Sequence, residues 1–176
     1  MKKPKLFILL ITINIFLVFI SSVSGARWPV QGSFPYLVGS DFGPRPYSES
    51  PMHDGLDFDA SYGTEVRAIE SGQVVYKRWE NPNNHSQGYG YNIRIKGRSG
   101  IAVYGHLIVD DPNVGGYEDS DFFPAVNVGD VVVEGQVIGY ADHTGHSEGD
   151  HLHLTVYTND YQNKVNPLQL FSYSNL

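Results

Sequence analysis

The stretch GDHLHLTVY, residues 149–157, places two histidines one position apart and then alternates apolar and polar side chains. Successive side chains of a β-strand point to opposite faces of the sheet, so we expect His151 and His153 to project from the same face. Two imidazoles that converge on one face favour a shared partner such as a metal ion. The other ligands of such an ion must come from elsewhere in the chain.

Short strand-like runs dominate the rest of the sequence, and helical periodicity is scarce. Clusters of Gly, Asn, Asp and Pro separate these runs, and glycine alone contributes 19 residues. Gly129-Asp130 and Glu134-Gly135 have the composition of tight turns between strands. This pattern predicts an all-β domain with an antiparallel sheet or sandwich core. The predicted strands lie within residues 64–69, 72–79, 91–97, 101–107, 130–141 and 151–157.

Two long segments separate some of these strands. Residues 79–91 are polar and aromatic, whereas residues 108–126 are acidic. Loops of this length inside a compact domain are commonly functional. We therefore predict that they wall a substrate groove, with Tyr89, Tyr91 and Tyr117 as candidate aromatic wall residues.

The amino-terminal segment has the three parts of a secretory signal. Basic residues at the start precede an apolar stretch, residues 6–20, and the small residues Ser24 and Ala26 suit cleavage before Arg27. We predict a signal peptide over residues 1–26 and one mature domain over residues 27–176, in a secreted, periplasmic or cell-wall-associated protein. The alternative is an uncleaved membrane anchor, but the apolar stretch is shorter than the about 20 residues that a spanning helix needs.

Composition limits the partners of the mature domain. Without the lysines at positions 2, 3 and 5, nine basic residues face 19 acidic residues, a formal net charge of −10. This charge argues against nucleic acid or an anionic membrane surface as a partner. The chain has no cysteine, so no disulfide stabilises the domain. We expect a monomer without stable membrane association after signal cleavage.

Candidate metal ligands occur in two further places. His53 and Asp57 lie in HDGLDFDA, and His106 lies in YGHL. A catalytic zinc site takes about three nitrogen or carboxylate ligands and leaves a position open. His53, Asp57 and one histidine of the HLH pair would supply that set. Gly55 would permit a sharp turn between the first two ligands.

These motifs carry a resemblance to a known family. H-x-x-x-D at residues 53–57, YGHL at 104–107 and H-x-H at 151–153 follow the order of the M23 family of zinc metallopeptidases, the lysostaphin-like or LytM-type peptidoglycan endopeptidases. The resemblance extends over residues 41–47, 52–76, 104–107, 128–157 and 166–171. It implies a LytM-type antiparallel β core, with long loops that form a substrate groove.

The resemblance also implies roles for individual residues. His53, Asp57 and His153 would bind Zn²⁺, and His106 and His151 would be the catalytic histidines. The implied function is that of an exported zinc-dependent endopeptidase that hydrolyses peptide bonds in peptidoglycan stems or cross-bridges. Which histidine takes the proton and which stabilises the oxyanion stays open at this point.

The sequence departs from the family pattern beside the HLH motif. Family members commonly have proline before this motif and phenylalanine-glutamate after it, where this chain has Asp150, Leu154 and Thr155. The departures leave every implied ligand and catalytic histidine in place, so they bear on substrate preference.

Two other functions compete with this interpretation. A catalytically inactive M23-like scaffold or activator of other cell-wall hydrolases would be expected to lose ligands, and this chain keeps them. The stretch VNVGDVVVEGQVIG also resembles the hairpins of lipoyl and biotinyl domains. Those domains need a modifiable lysine at the hairpin tip, and no lysine occurs between Lys96 and Lys164.

Overall fold

The computed structural model describes residues 26–31, 40–46, 51–110, 126–158 and 161–171. The predicted signal up to residue 25, most of the predicted acidic loop and Tyr117 therefore lie outside the described residues. Within these ranges, no helix has the length and apolar character to cross a membrane. Ala26, the last residue of the predicted signal, is buried, and its backbone N–H donates to the carbonyl of Leu170 at 2.9 Å.

The described part of the chain is built almost entirely from strands, which confirms the all-β prediction. It contains one short 3₁₀ helix, Pro167–Gln169, and no α-helix. The strands are β1 Gly43–Pro44, β2 Met52–His53, β3 Leu56–Asp59, β4 Glu65–Arg67, β5 Gly72–Trp79, β6 Tyr91–Gly97, β7 Ile101–Gly105, β8 Val131–Val132, β9 Val137–Tyr140, β10 His151–Tyr157 and β11 Lys164–Val165.

One antiparallel sheet organises the domain. Its strand order is β11-β10-β7-β6-β5-β8, and β3 also pairs with the first half of β10. Two small sheets, β1-β2 and β4-β9, complete the described fold. One turn occurs at residues 128–129, one position before the predicted Gly129-Asp130, and the other at the predicted residues 134–135. The strands that flank the second turn do not pair with each other, because β8 joins β5 and β9 joins β4.

The hydrophobic core covers one face of the main sheet. In β10, Leu152, Leu154 and Val156 are buried in this core, as expected for alternate positions of a strand. The intervening residues, among them both histidines of the HLH motif, project from the other face. Alternation along β10 therefore separates the residues that stabilise the fold from the residues that are candidates for function.

A buried ion pair lies among the apolar side chains. Lys77 Nζ is 2.8 Å from the Asp110 carboxylate and donates to the Val126 carbonyl at 2.8 Å. The hydroxyl of Tyr91, a fully buried residue, donates to the same carboxylate at 3.1 Å. The suggestion that Tyr91 is a groove wall is therefore wrong. Asp110 and Val126 flank residues 111–125, so one ammonium group connects both ends of that segment.

Replacing Lys77 by methionine is expected to destabilise the domain by about 3–5 kcal/mol, because the Asp110 carboxylate would stay buried without its counter-charge. Urea unfolding followed by circular dichroism measures the change. The double variant Lys77→Met/Asp110→Leu removes both charges and should recover most of the loss. Equal stability of the Lys77→Met variant and the unmodified protein would contradict a structural role for the pair.

Candidate metal centre

Strand pairing brings two of the three predicted ligands together. His153 of β10 stands opposite Asp57 of β3 in the antiparallel register, so both side chains project from the same face. His53 ends β2, and its backbone is paired with Gly43 of β1. All three side chains are buried, with relative exposures of 6 to 9%. Ionisable groups buried together in this way need partners within the site.

The ligand atoms of these residues form a tight triangle. His153 Nδ1 is 2.8 Å from Asp57 Oδ1, and His53 Nε2 is 3.2 Å from each of these atoms. Tetrahedral zinc bonds of about 2.0–2.1 Å place ligand atoms roughly 3.3 Å apart. The observed triangle is close to one face of such a tetrahedron. Its two nitrogens and one carboxylate oxygen are also donors that zinc accepts, so these residues fit the metal that the resemblance implies.

The remaining polar atoms of the triangle have partners in the protein. His53 Nδ1 donates to the backbone carbonyl of Asp41 at 2.9 Å, and His153 Nε2 is 2.9 Å from Thr155 Oγ1. These contacts favour tautomers that leave the lone pairs of the other ring nitrogens facing the triangle. Arg45 Nη2 donates to Asp57 Oδ2 at 3.1 Å, so the second carboxylate oxygen is also paired.

The site favours a charged carboxylate at Asp57 beside a neutral imidazole at His153. Burial alone would raise the pKa of Asp57, but the neighbouring His153 and His53 hold it well below its ordinary value. Burial lowers the pKa of His153, although the neighbouring Asp57 acts in the opposite direction. A carboxylate and neutral imidazoles are the protonation states that a divalent metal requires of its ligands.

Gly55 contributes space to this arrangement. A Cβ at this position would lie 2.5 Å from His153 Nε2 and 2.6 Å from the carbonyl oxygen of Leu154. The backbone of Gly55 is not left-handed. Position 55 therefore requires glycine, as predicted, but the reason is close packing against the His153 ring.

The two remaining predicted histidines lie beside the triangle. The rings of His106 and His151 have centroids 4.6 Å apart, and His106 is 5.7 Å from the His153 ring. His151 Nδ1 donates to the Gly149 carbonyl at 2.8 Å, and its Nε2 is 3.6 Å from Asp57 Oδ1. The structure thus brings all five predicted site residues into one cluster.

His106 has two features that are common at functional positions. Its φ of 60° lies in the left-handed region, which is strained for a residue with a side chain. Burial, followed by the neighbouring His153 and His151, lowers the pKa of His106 to about 3. His106 is therefore a neutral imidazole near pH 7.

Thr144 orients the His106 ring. Its carbonyl accepts a hydrogen bond from His106 Nδ1 at 2.6 Å, which places the ring proton on Nδ1 and leaves Nε2 as the basic nitrogen. The Thr144 hydroxyl donates to the carbonyl of Leu107 at 2.9 Å and accepts from the Tyr91 N–H at 3.2 Å. These contacts hold the Thr144 backbone beside the end of β7. Sequence analysis assigned no role to Thr144, because a backbone carbonyl leaves no signal in a motif.

Backbone contacts join the loop that follows β5 to the segment before β10. Gly145 N–H donates to the His85 carbonyl at 3.1 Å, and His146 N–H donates to the Gly88 carbonyl at 3.0 Å. A Cβ on Gly90 would lie 2.3 Å from the Thr144 carbonyl carbon, and Gly90 has a φ of 63°. Only glycine suits both demands at this position.

A cleft of about 480 Å³ lies between these two segments. On one side the rings of Trp79 and His85 are stacked, with centroids 3.7 Å apart and planes at 4°. Residues 143–147 form the other side. Trp79, His85 and Ser86 therefore form one wall of a cleft, and none of the five predicted site residues lines it. Stacking on Trp79 leaves His85 half-buried.

Together these features define a candidate metal-dependent hydrolase centre on an all-β domain. The chain belongs to peptidase family M23, whose sequence pattern matches residues 51–167. It is 33% identical over 131 residues to lysostaphin from Staphylococcus simulans and, over the same length, to the glycyl-glycine endopeptidase ALE-1 from Staphylococcus capitis. Each alignment covers 74% of this chain, but only 23% of lysostaphin and 32% of ALE-1.

Two further comparisons extend this relationship. The chain is 30% identical over 120 residues to the DD-carboxypeptidase/endopeptidase Mpg from Neisseria meningitidis, covering 68% of this chain and 23% of that protein. The structure matches the catalytic domain of the antimicrobial peptidase lysostaphin from Staphylococcus simulans with a TM-score of 0.57 and 31% identity. That match covers 74% of this chain and 88% of the lysostaphin domain. The resemblance to the M23 family and its β fold is confirmed.

Replacing Gly55 by alanine should displace the His153 ring, because the new methyl group would overlap it. We expect weaker zinc binding and a stability loss of about 1–3 kcal/mol, the usual range for overpacking. Thermal unfolding with and without zinc measures both effects. Gly149→Ala is the matched control, because a Cβ at Gly149 meets nothing within 4 Å. Equal behaviour of the two variants would show that the space beside His153 is unimportant.

Proposed function

We propose that this chain is an exported zinc-dependent endopeptidase that hydrolyses peptide bonds in peptidoglycan stems or cross-bridges. The observation that carries the proposal is the convergence of His53, Asp57 and His153 ligand atoms within 3.2 Å, beside His106 and His151. Membership of peptidase family M23 supports the reaction class. Export rests on the signal-like pattern of residues 1–26.

His53, Asp57 and His153 are the proposed zinc ligands. A bound zinc ion would polarise a scissile carbonyl and lower the pKa of water to about 7. Asp57 contributes the single negative charge of the ligand set, and Arg45 directs its second oxygen away from the triangle. The donation of His53 Nδ1 to the Asp41 carbonyl keeps Nε2 available as a ligand.

His106 and His151 are the proposed catalytic histidines. Both donate Nδ1–H to a backbone carbonyl, so Nε2 is the reacting atom of each ring. His106 is neutral, and we assign it as the base that accepts the proton of the attacking water. His151, when protonated at Nε2, donates a hydrogen bond to the oxyanion that develops on the carbonyl.

The proposed substrate is a peptide segment of the cell wall. The related proteins are named for peptidase activity on different bonds, a glycyl-glycine bond in ALE-1 and a DD bond in Mpg. Stems and cross-bridges therefore both remain within the proposal. We expect a monomer with no nucleic-acid partner and no stable membrane association once the signal is removed, in keeping with the acidic composition.

The function is tested by metal removal. Purified protein should hold about one zinc per chain, and incubation with a chelator should abolish release of peptide fragments from purified peptidoglycans, as followed by mass spectrometry. Restoring zinc should restore the release. A zinc-loaded chain that cuts none of a panel of peptidoglycans with different cross-bridges would favour the inactive scaffold. Full cleavage by metal-free protein would exclude a metallopeptidase.

The two neighbouring histidines of β10 should respond differently to substitution. His153→Ala should lose most of its zinc and the stability that zinc adds, because it removes a ligand. His151→Ala should keep zinc and its melting temperature while turnover falls by roughly 10² to 10⁴. His106→Ala should resemble His151→Ala. Zinc content of the purified variants decides between these roles, and equal zinc loss at 151 and 153 would contradict the assignment.

A further inference from the structure

The imidazole of His153 is within hydrogen-bond distance of a hydroxyl group. Thr155 follows it two positions later in β10, so both side chains lie on the same face of the strand. His153 Nε2 is 2.9 Å from Thr155 Oγ1, on the opposite side of the ring from the contact between Nδ1 and Asp57. Thr155 is fully buried, so water does not reach this contact. A hydroxyl oxygen in this position can accept the Nε2 proton of a neutral imidazole.

Tyr89 extends this contact into a chain. Its hydroxyl donates to Thr155 Oγ1 at 3.3 Å and is 3.2 Å from the hydroxyl of Tyr157, the next residue on the same face of β10. The Tyr89 ring lies over Gly105 of β7, where a Cβ would be 3.3 Å from the tyrosine side chain. The absence of a side chain at Gly105 lets the ring lie close to the sheet, with its centroid 5.5 Å from that of His153.

The donors and acceptors of this chain are compatible with one direction of hydrogen bonding. If Tyr157 donates to Tyr89, Tyr89 is free to donate to Thr155, and Thr155 Oγ1 receives hydrogen bonds from both Tyr89 and His153. Hydrogen bonds in series polarise one another and act together more strongly than isolated pairs. The chain therefore opposes rotation of the His153 ring and disfavours the tautomer that carries its proton on Nδ1.

We propose that Thr155 and Tyr89 are positioning residues of the metal centre, which hold the His153 ring so that the lone pair of Nδ1 faces the metal. Thr155 acts directly by accepting Nε2–H, and Tyr89 acts through Thr155. The inference rests on the proposed function, because it takes His153 to be a zinc ligand. It assigns neither residue a contact with substrate.

The test measures zinc affinity in the full chain by competition with a chromogenic chelator. Thr155→Val keeps the shape of the side chain and removes the hydroxyl, so affinity should fall about 10- to 100-fold, the range for loss of a partner to a ligating histidine. Thr155→Ser retains the hydroxyl and should stay within a few-fold of the unmodified protein. Tyr89→Phe should show a smaller loss than Thr155→Val.

Melting temperatures of the metal-free proteins separate this role from a merely structural one. The inference expects the zinc affinity of Thr155→Val to fall even where its metal-free melting temperature equals that of Thr155→Ser. Unchanged zinc affinity in Thr155→Val would overturn it, whatever the melting temperature. Equal losses in the valine and serine variants would also overturn it, since packing and not the hydroxyl would then matter. Failure of the unmodified protein to bind zinc would instead reject the proposed function.

Discussion

The antiparallel pairing of β10 with β3 on one side and β7 on the other is the constraint on which the candidate site depends. The register sets His153 opposite Asp57 in one direction and opposite Gly105 in the other. A slip of one residue would turn both histidines of the HLH motif into the core and expose the buried leucines between them. Pairing of β10 therefore forms the core and assembles the candidate ligands together, because alternate residues of this strand belong to the core and to the site.

The histidines of the cluster are buried beside partners that the protein supplies. Each of the four histidines in the cluster has a ring nitrogen within 2.9 Å of a backbone carbonyl or a hydroxyl oxygen. Lys77, on the core side of the sheet, is likewise matched by Asp110 and the Val126 carbonyl. A domain without disulfides thus gains order from packing and from paired polar groups, and the hydrogen bonds of the cluster favour the tautomers that the proposed chemistry needs.

The site residues that could be predicted from the sequence act through their own side chains in recognisable motifs. The residues that could not be predicted act in other ways. Alternation in HLHLTVY predicted that His151 and His153 share a face, and the order of the motifs pointed to His53, Asp57 and His106. Residues that act through a backbone atom or a neighbouring side chain escaped prediction, because their effect depends on register and loop path. The Thr144 carbonyl and the Thr155 hydroxyl are of this kind. At Gly55 the residue type was noticed, but its reason, contact with the His153 ring, appears only in three dimensions.

The close contact between Gly90 and Thr144 couples the width of the cleft to the orientation of the His106 ring. One of the joined segments carries the stacked Trp79 and His85 wall of the cleft, and the other carries the carbonyl that orients His106. Any substitution that widens the cleft by pushing these segments apart also withdraws the hydrogen-bond acceptor of His106. Under the proposed function, a change of substrate range at that wall would therefore be coupled to a change of rate.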